Sequence, residues 1–494
     1  MEGKSNDGSS PHGVGWMLTA CLIIAGTVSL GTLSMGQTFS VLGYALGVSF
    51  VIIFGLVACY TGKLIGDVAL EYPHLKSYGD MAGQLWGKHL ARLVTVEQSI
   101  LLFLFVGAGA QAAGDAIYSL AQNKVCLALV TFIGCMLGWL TSFPLYLHGV
   151  SALSALSFGA ITISLVLNMV GLAVAQPVAS DGTQIVQQNV VTFVGIPPSS
   201  SLTSIVSSLT DIIFAYAGHL VFPEFLAHMR KRTDWKKSLS CAQSFAVVAY
   251  CVVGAVIYSL VGGEARSPSM FNLPSDSVWA ILSWAFLLPN VVIGGVIDAN
   301  VLAHNITQLE WPLVRDVSVG IRSGHPAAER AQVADEENGK QLPTTSFQNG
   351  EEHVAIAISS SECNGDFEEA EGDSSWAASV QSFSSSRFGT YFVWMCVQFL
   401  LWSTAFIVSQ ILPDFGSLLG LISSLFATQF TFALPALFAI RMDLLSEQTS
   451  RLTYVRHAVH GTIVAVAVLI AVMGVYSNAI SFQSDHISMF SCSA

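Results

Sequence analysis

Residues 211–230, DIIFAYAGHLVFPEFLAHMR, place ionisable and helix-breaking side chains inside an otherwise apolar run. Asp211 and His219 can each take up and release a proton, and such groups are costly inside an apolar helix unless they have a use there. Gly218 and Pro223 weaken the regular hydrogen-bond ladder of a helix. The segment therefore favours proton transfer beside a helix break.

Asp298 is a second acidic group within a long apolar run, and it lies close to Asn300. Because buried acids in membrane helices are functional candidates by default, Asp211 and Asp298 are the candidates for proton coupling. Each has a structural alternative. Asp211 could cap a half-helix or bond Ser207 or Ser208, and Asp298 could line a solvated vestibule.

Two further ionisable groups follow the predicted break. His219 could line a binding site, or it could hold the kinked backbone by a hydrogen bond. Glu224 follows Pro223 and precedes the basic run RKR at 230–232, so an ion pair with that run is the favoured interpretation.

Motifs of enzyme chemistry are missing from the sequence. It contains no GxxxxGK[ST] phosphate loop, no HExxH zinc motif and no GxSxG nucleophile motif, and its nine cysteines show no metal-ligand spacing. We therefore expect a protein that is not an enzyme and that holds no metal and no cofactor.

The elements that position these residues follow from composition. The chain is 53% hydrophobic and only 11% charged, whereas soluble domains are about 25% charged. The interval 8–62 contains no Asp, Glu, Lys or Arg, which predicts two membrane helices with a turn near VLGYAL. Similar intervals raise the predicted total to eleven transmembrane helices, so the fold class is an all-α polytopic membrane protein.

Charge in the loops predicts the orientation. Lys and Arg are concentrated after helices two, six and ten, which places those loops and the N-terminus in the cytoplasm. Segment 312–387 holds 13 acidic against 5 basic residues and is rich in Ser and Gly, a composition typical of disorder. The predicted organisation is a cytoplasmic tail (1–15), helices one to eight (16–311), an acidic cytoplasmic loop (312–387), helices nine to eleven (388–480) and a tail outside (481–494).

Two of the predicted helices contain breaks, five helices apart. Helix one contains GTVSLGTLSMG at 26–36, and helix six contains FAYAGH followed by Pro223. Matched broken helices indicate a transporter built from inverted repeats, with its substrate at the membrane midplane; close packing through Gly and Ser is the alternative. Exposed N–H groups at one break attract a carboxylate and exposed carbonyls attract an ammonium, so an amino acid fits two facing breaks.

Three stretches resemble the amino acid/auxin permease family. DIIFAYAGHLVFPE at 211–224 closely resembles the helix-six signature of plant lysine/histidine-type and general amino acid permeases. GTLSMGQTFSVLGYALG at 31–47 resembles the helix-one run, and residues 411–438 resemble the run from helix nine to helix ten. The sequence departs from the family where SLGTL replaces a Gly-x-Gly motif, where Met35 and Gly36 replace a proline, and in the acidic loop.

The resemblance implies a LeuT-type fold, with a 5+5 inverted repeat and broken helices one and six, and a secondary active transporter of amino acids driven by protons. Backbone of helix one would hold the substrate carboxylate, and backbone of helix six would face its amino group and side chain, with Tyr216 as a gate or pocket wall. The implied substrate-binding residues are Ser29, Leu30, Gly31, Thr32 and Leu33 from helix one and Phe214, Ala215, Tyr216, Ala217, Gly218 and His219 from helix six.

Two other functions stay open at this point. The protein could be an amino acid sensor that signals through the acidic loop, or a sodium-coupled or exchange-type carrier. The expected partners are an amino acid, the lipid bilayer and cytoplasmic regulators of the acidic loop, and the charge pattern indicates no nucleic acid. The expected location is the plasma membrane, with a vacuolar or endosomal membrane as the alternative.

Overall fold

The computed structural model describes residues 13–143, 147–308, 387–411, 415–446 and 451–484. These residues are helical or irregular, with only isolated β-bridges such as that between Val14 and Met229. The chain divides into two compact units, Met1–Ile306 with Met395–Ala494, and Thr307–Trp394. Of the second unit, only the end of one helix and the start of another are described, so most of the predicted acidic loop lies outside the described residues.

Nine helices of the described part are long and apolar enough to cross a membrane, and two shorter apolar helices accompany them. The predicted all-α membrane fold is therefore confirmed, whereas the total of eleven spans stays a prediction. We number the spans by their order in that prediction. The helices, in chain order, are Trp16–Thr27, Leu30–Leu33, Met35–Glu71, Tyr78–Trp86, Lys88–Leu120, Leu127–Thr141, Leu147–Val174, Leu202–Ala215, Phe222–Ala227, Trp235–Val261, Val278–Gln308, Arg387–Ile411, Phe415–Ile422, Leu434–Leu445 and Arg451–Ser484.

Helix ends differ slightly from the predicted boundaries. The ninth span begins at Arg387 rather than at 388, and the eleventh continues to Ser484 instead of ending at 480. Both differences extend a helix into polar residues. An apolar run marks the part of a helix that faces the membrane, whereas the ends of the helix continue beyond it.

Gly43 separates the first two spans inside the helix Met35–Glu71. Its φ of 73° and ψ of 176° are not helical, and a side chain there would collide with the carbonyl group of Gly195. The backbone N–H groups of Tyr44 and Ala45 donate to the carbonyl oxygens of Phe193 and Val194, at 3.2 and 2.8 Å. The turn thus falls in the VLGYAL stretch and is held by the loop before the sixth span.

The basic loops after spans two, six and ten lie on one side of the molecule. Lys236 Nζ pairs with Asp67 at 2.7 Å, and Arg441 Nε donates to the carbonyl oxygen of Leu85 at 3.0 Å. The backbone N–H of Val14 donates to the carbonyl oxygen of His228 at 2.9 Å, which places the start of the first span here too. We call this end of the molecule the basic side.

A short helix on the basic side, Tyr78–Trp86, was not predicted. It begins with a capping box in which the Ser77 and Asp80 side chains each accept a hydrogen bond from the other's backbone N–H. Tyr78 is fully buried, and its hydroxyl donates to the carbonyl oxygen of Phe430 at 2.9 Å. The helix therefore joins the third span to the tenth span.

Large apolar side chains cover the outer faces of the helices. Leu56 is 66% exposed, and the same pattern holds on distant spans at Leu156, Val248, Leu400 and Val472. Such a surface is unsuited to water and matches lipid chains. The protein is thus an integral membrane protein that crosses the bilayer several times.

Candidate functional site

The first span is broken at Val28 and Ser29. The helix Trp16–Thr27 ends there, Ser29 adopts φ −101° and ψ −106°, and a helix resumes at Leu30. Residues with β-branched or hydroxyl side chains cluster at this point, and both kinds weaken a helix. The break leaves the N–H groups of Leu30 and Gly31 without partners inside their own helix.

The sixth span is broken between Tyr216 and Phe222. An α-helix runs from Leu202 to Ala215, a tighter 3₁₀ segment covers Ala217–Val221, and the helix Phe222–Ala227 follows. Pro223 occupies the first turn of the last helix, where its missing N–H costs nothing. The break is therefore a tightened turn and not an open loop.

The two breaks touch each other through glycines. A Cβ placed on Gly31 would lie 2.6 Å from the Ala215 Cβ and would overlap its backbone as well. A Cβ on Gly218 would collide with the Thr27 side chain. Only glycine allows this approach, so the broken parts of spans one and six form one contiguous structure.

Tyr250 of the seventh span binds both breaks at once. Its buried hydroxyl lies 2.9 Å from the carbonyl oxygen of Thr27 and 2.6 Å from that of Ala215, the last residues of the two interrupted helices. Its ring packs edge-on against Tyr216, at 5.2 Å between centroids. The single hydroxyl proton is thus shared between two carbonyl groups that the breaks leave without helical partners.

We expect Tyr250→Phe to lower the stability of the folded protein by about 1–3 kcal/mol, since it leaves buried carbonyl oxygens without a donor. The measurement is the apparent unfolding temperature of the purified protein. Tyr476→Phe is the matched control, because the Tyr476 side chain is 66% exposed. Equal unfolding temperatures for the two variants would show that the hydroxyl does not hold the breaks together.

A cavity lies where the breaks meet. Its volume is about 20 Å³, little more than one water molecule needs, so the two breaks lie close together in this conformation. Spans one, three, six and eight form its wall. The lining residues are Gly26, Thr27, Ser29, Leu30, Gly31, Phe105, Gly109, Phe214, Gly218, Val291, Gly294, Gly295 and Asp298.

Asp298 is the one ionisable residue of that lining. Its side chain is partly accessible because it faces the cavity. Among the described residues, no hydrogen bond or ion pair holds its carboxylate, whereas the neighbouring Asn300 accepts a hydrogen bond from Gln398 Nε2 at 3.0 Å. The cavity therefore contains an uncompensated acidic group.

A hydrogen-bonded chain fixes the break of the first span to two other spans. Ser29 Oγ donates to Asn290 Oδ1 at 2.6 Å, and Asn290 Nδ2 donates to Ser157 Oγ at 2.9 Å. Ser29 is therefore positioned by spans eight and five. Since Asn290 and Ser157 are far from Ser29 in the sequence, no local pattern could have indicated them.

Five of the eleven predicted substrate-binding residues line the cavity, and six do not. Ser29, Leu30, Gly31, Phe214 and Gly218 form part of the wall. The other six are also buried, but they lie on faces of their segments that point away from the cavity. Those outside the lining are Thr32, Leu33, Ala215, Tyr216, Ala217 and His219.

Tyr216 and His219 face the second span instead of the cavity. The Tyr216 hydroxyl donates to the carbonyl oxygen of Val51 at 2.9 Å. His219 Nε2 lies 2.8 Å from the carbonyl oxygen of Ala58, and Nδ1 lies 3.0 Å from that of Tyr216. The geometry matches the hydrogen-bonding alternative for His219 and places Tyr216 behind the break.

The two proton-coupling candidates lie in different places. Asp298 faces the cavity, whereas Asp211 is buried in the preceding half-helix and is not part of the cavity wall. Phe105, Gly109, Gly294 and Gly295 line the cavity without having been predicted. The glycine-rich runs GAGAQAAG at 107–114 and IGGV at 293–296 are a signal that could have indicated them.

The tenth span supports the break of the sixth. It contains two π-helical segments, Ser423–Ala427 and Gln429–Ala433, and the second contacts Ala217–Val221. π-helical turns are rare and occur mostly at functional sites. This irregularity had not been predicted, because nothing in the sequence there breaks a helix as clearly as Gly or Pro.

Comparison with known proteins agrees with this architecture. The family model described as transmembrane amino acid transporter protein matches residues 12–480. An N amino acid transport system protein of Neurospora crassa is 23% identical over 304 residues, which cover 61% of this chain and 63% of the relative. Amino acid transporter AVT1B of Arabidopsis thaliana is 27% identical over 287 residues, which cover 56% of this chain and 49% of the relative. The matches to these relatives thus span about half to two thirds of their lengths.

A solved structure of a manganese transporter from Eremococcus coleocola also aligns, with 14% identity, a TM-score of 0.49 and coverage of 96% of this chain and 88% of that one. The family match covers both broken spans and the whole cavity wall. This chain belongs to the family of transmembrane amino acid transporter proteins.

Proposed function

We propose that this protein is a secondary active transporter that moves amino acids across a membrane by proton-coupled symport. The observation that carries the proposal is the cavity formed by both helix breaks, with the carboxylate of Asp298 in its wall. Family membership supports the amino acid as substrate, and the relatives named as amino acid transporters support it too.

The substrate carboxylate is placed at the start of the helix that resumes at Leu30. The N–H groups of Leu30 and Gly31 are unused within that four-residue helix, so they can donate hydrogen bonds to an anion. Leu30 and Gly31 both line the cavity. Ser29, which is fixed by Asn290, sets the direction of these N–H groups.

The substrate amino group is placed against the sixth span, where Phe214 and Gly218 line the cavity. Its side chain extends towards Phe105, whose ring stacks on Phe214 at 4.9 Å between centroids. Glycines at 109, 294 and 295 leave the rest of the wall to backbone atoms. Side-chain selectivity therefore depends mainly on Leu30, Phe105, Phe214 and Val291.

Proton coupling is assigned to Asp298, with Asp211 as the second candidate. A carboxylate without a counter-ion has a high free energy in a low-dielectric cavity. Asp298 therefore takes up a proton, and the cavity is neutral when it closes. The proton leaves when the cavity opens to water on the basic side. By the positive-inside rule, the basic side faces the cytoplasm, so transport from the opposite side to the basic side is import.

The proposal predicts sodium-independent uptake. Purified protein in liposomes should accumulate a labelled amino acid under an inward proton gradient with sodium absent, and dissipation of the gradient should stop the accumulation. A competition panel of amino acids at two pH values identifies the side-chain preference. Uptake that disappears on removal of sodium at fixed pH would replace this mechanism by a sodium-coupled one, and binding without flux would indicate a sensor.

A further inference from the structure

Glu224 is a carboxylate on the basic side of the break in the sixth span. Its Oε2 atom is buried and has no hydrogen-bond partner among the described residues, while Oε1 accepts a hydrogen bond from Gln98 Nε2 at 3.1 Å. The expected ion pair with the basic run 230–232 does not form among the described residues. Arg232 instead donates to the carbonyl oxygen of Pro73.

Gln98 of the third span holds this part of the sixth span. Its side chain is fully buried, and Nε2 also donates to the carbonyl oxygen of Leu220, in the 3₁₀ segment of the break, at 2.9 Å. Both hydrogens of the amide are therefore used. Gln98 Oε1 is left buried without a partner in the described structure.

The pair thus contains two buried acceptor oxygens, Glu224 Oε2 and Gln98 Oε1, and no donor for either. An ionised carboxylate can only accept hydrogen bonds, whereas a protonated one also has an O–H donor. One proton on Glu224 Oε2 would remove a negative charge from a buried position and supply the donor that is missing.

The charges around Glu224 do not stabilise its ionised form. The carboxylate of Asp80, on the short helix, lies within electrostatic reach and has the same sign of charge. His228 Nδ1 faces the backbone carbonyl oxygen of Glu224 and not its carboxylate. Other titratable groups on the segments that carry or contact this site include His219, Tyr60, Lys63, Asp67, Glu71, Lys88, His89, Arg92 and Glu97. No ion pair joins any of them to Glu224 in the described part of the chain.

We propose that Glu224 is a proton-binding site, in which the bound proton is shared with Gln98 and holds the basic-side half of the sixth span against the third span. Loss of that proton leaves a buried carboxylate whose Oε2 atom has no donor among the described residues. The half-helix then moves away from Gln98, which opens the protein on the basic side. This role rests on the proposed transport function and adds to it a second proton site, separate from the cavity.

The proton itself can be detected without transport. Infrared spectra of the purified protein at neutral pH should contain the C=O band of a protonated carboxyl group that is missing from Glu224→Gln. Glu71→Gln, an exposed control, should retain that band. Gln98→Met should keep the band but move it to the higher frequency of a less hydrogen-bonded acid. If Glu224→Gln retains the full band, or if Gln98→Met leaves its position unchanged, the site is refuted.

Transport supplies the second readout. Glu224→Gln fixes the neutral form and so keeps the basic side closed. Because both accumulation and exchange require opening on that side, proton-driven accumulation and the exchange of labelled for unlabelled amino acid should each fall at least about tenfold, a change that corresponds to about 1.4 kcal/mol. Unchanged accumulation would contradict the role in coupling. If the wild-type protein moves no amino acid, the transport proposal fails by itself, and the infrared comparison still decides whether Glu224 binds a proton.

Discussion

Replacement of Asp298 by Asn should abolish accumulation of amino acid under a proton gradient. The substitution keeps the size of the side chain and removes the group that takes up the proton. Without a titratable side chain in the cavity, the proton gradient no longer drives uptake, so accumulation should fall to the level measured without a gradient. Exchange across liposomes at equal pH requires no net proton movement, so it should be affected much less than accumulation.

Two matched variants make this test specific. Asp276→Asn changes an exposed loop acid outside the cavity and should transport like the wild type. Asp211→Asn tests the second candidate, which is buried outside the cavity wall. If Asp298→Asn accumulates amino acid normally while Asp211→Asn does not, the coupling group is Asp211, and the assignment made from the cavity is wrong.

The second large effect is expected for Gly31→Ala. The added methyl group would lie 2.6 Å from the Ala215 Cβ and would force the two breaks apart. Overpacking of this kind costs about 1–3 kcal/mol. Because the displaced segments also form the cavity wall, we expect uptake to fall at least about tenfold, a change that corresponds to about 1.4 kcal/mol.

Gly159→Ala is the matched control, since no atom lies within 4 Å of a Cβ placed there. It adds the same methyl group to a helix of the fifth span and should change neither uptake nor the unfolding temperature. Normal uptake by Gly31→Ala would mean that the contact between the breaks is not needed for transport.

Sequence patterns predicted the fold well because membrane helices are determined by composition. Charge-free intervals located the spans and the turn at Gly43, and Gly and Pro located both breaks. The short helix Tyr78–Trp86 was missed because it is amphipathic and lies outside the apolar runs. The π-helical segments of the tenth span were missed because their cause is not a local residue type.

The candidate site was predicted less completely. A run of adjacent residues around a break cannot all face one cavity, because successive residues point in different directions. This separates Gly31 and Gly218 in the wall from Thr32 and His219 behind it. Asp298 could be predicted from its position alone, since an acidic residue within an apolar span is rare. The pairing of Glu224 with Gln98 required three-dimensional contacts, because these residues lie on different spans.

The most direct test asks whether transported amino acids occupy the cavity between the breaks. Gly26 lines the cavity, and no atom lies within 4 Å of a Cβ placed there, so Gly26→Cys introduces an accessible thiol. Gly461→Cys provides a control outside the cavity lining. Each variant reacts with a thiol-specific reagent, and mass spectrometry measures the labelled peptide that contains the introduced cysteine. This distinguishes its labelling from that of the native cysteines. We predict that a transported amino acid slows modification of Gly26→Cys several-fold and leaves Gly461→Cys unchanged, whereas equal rates with and without the amino acid at Gly26→Cys would contradict the account.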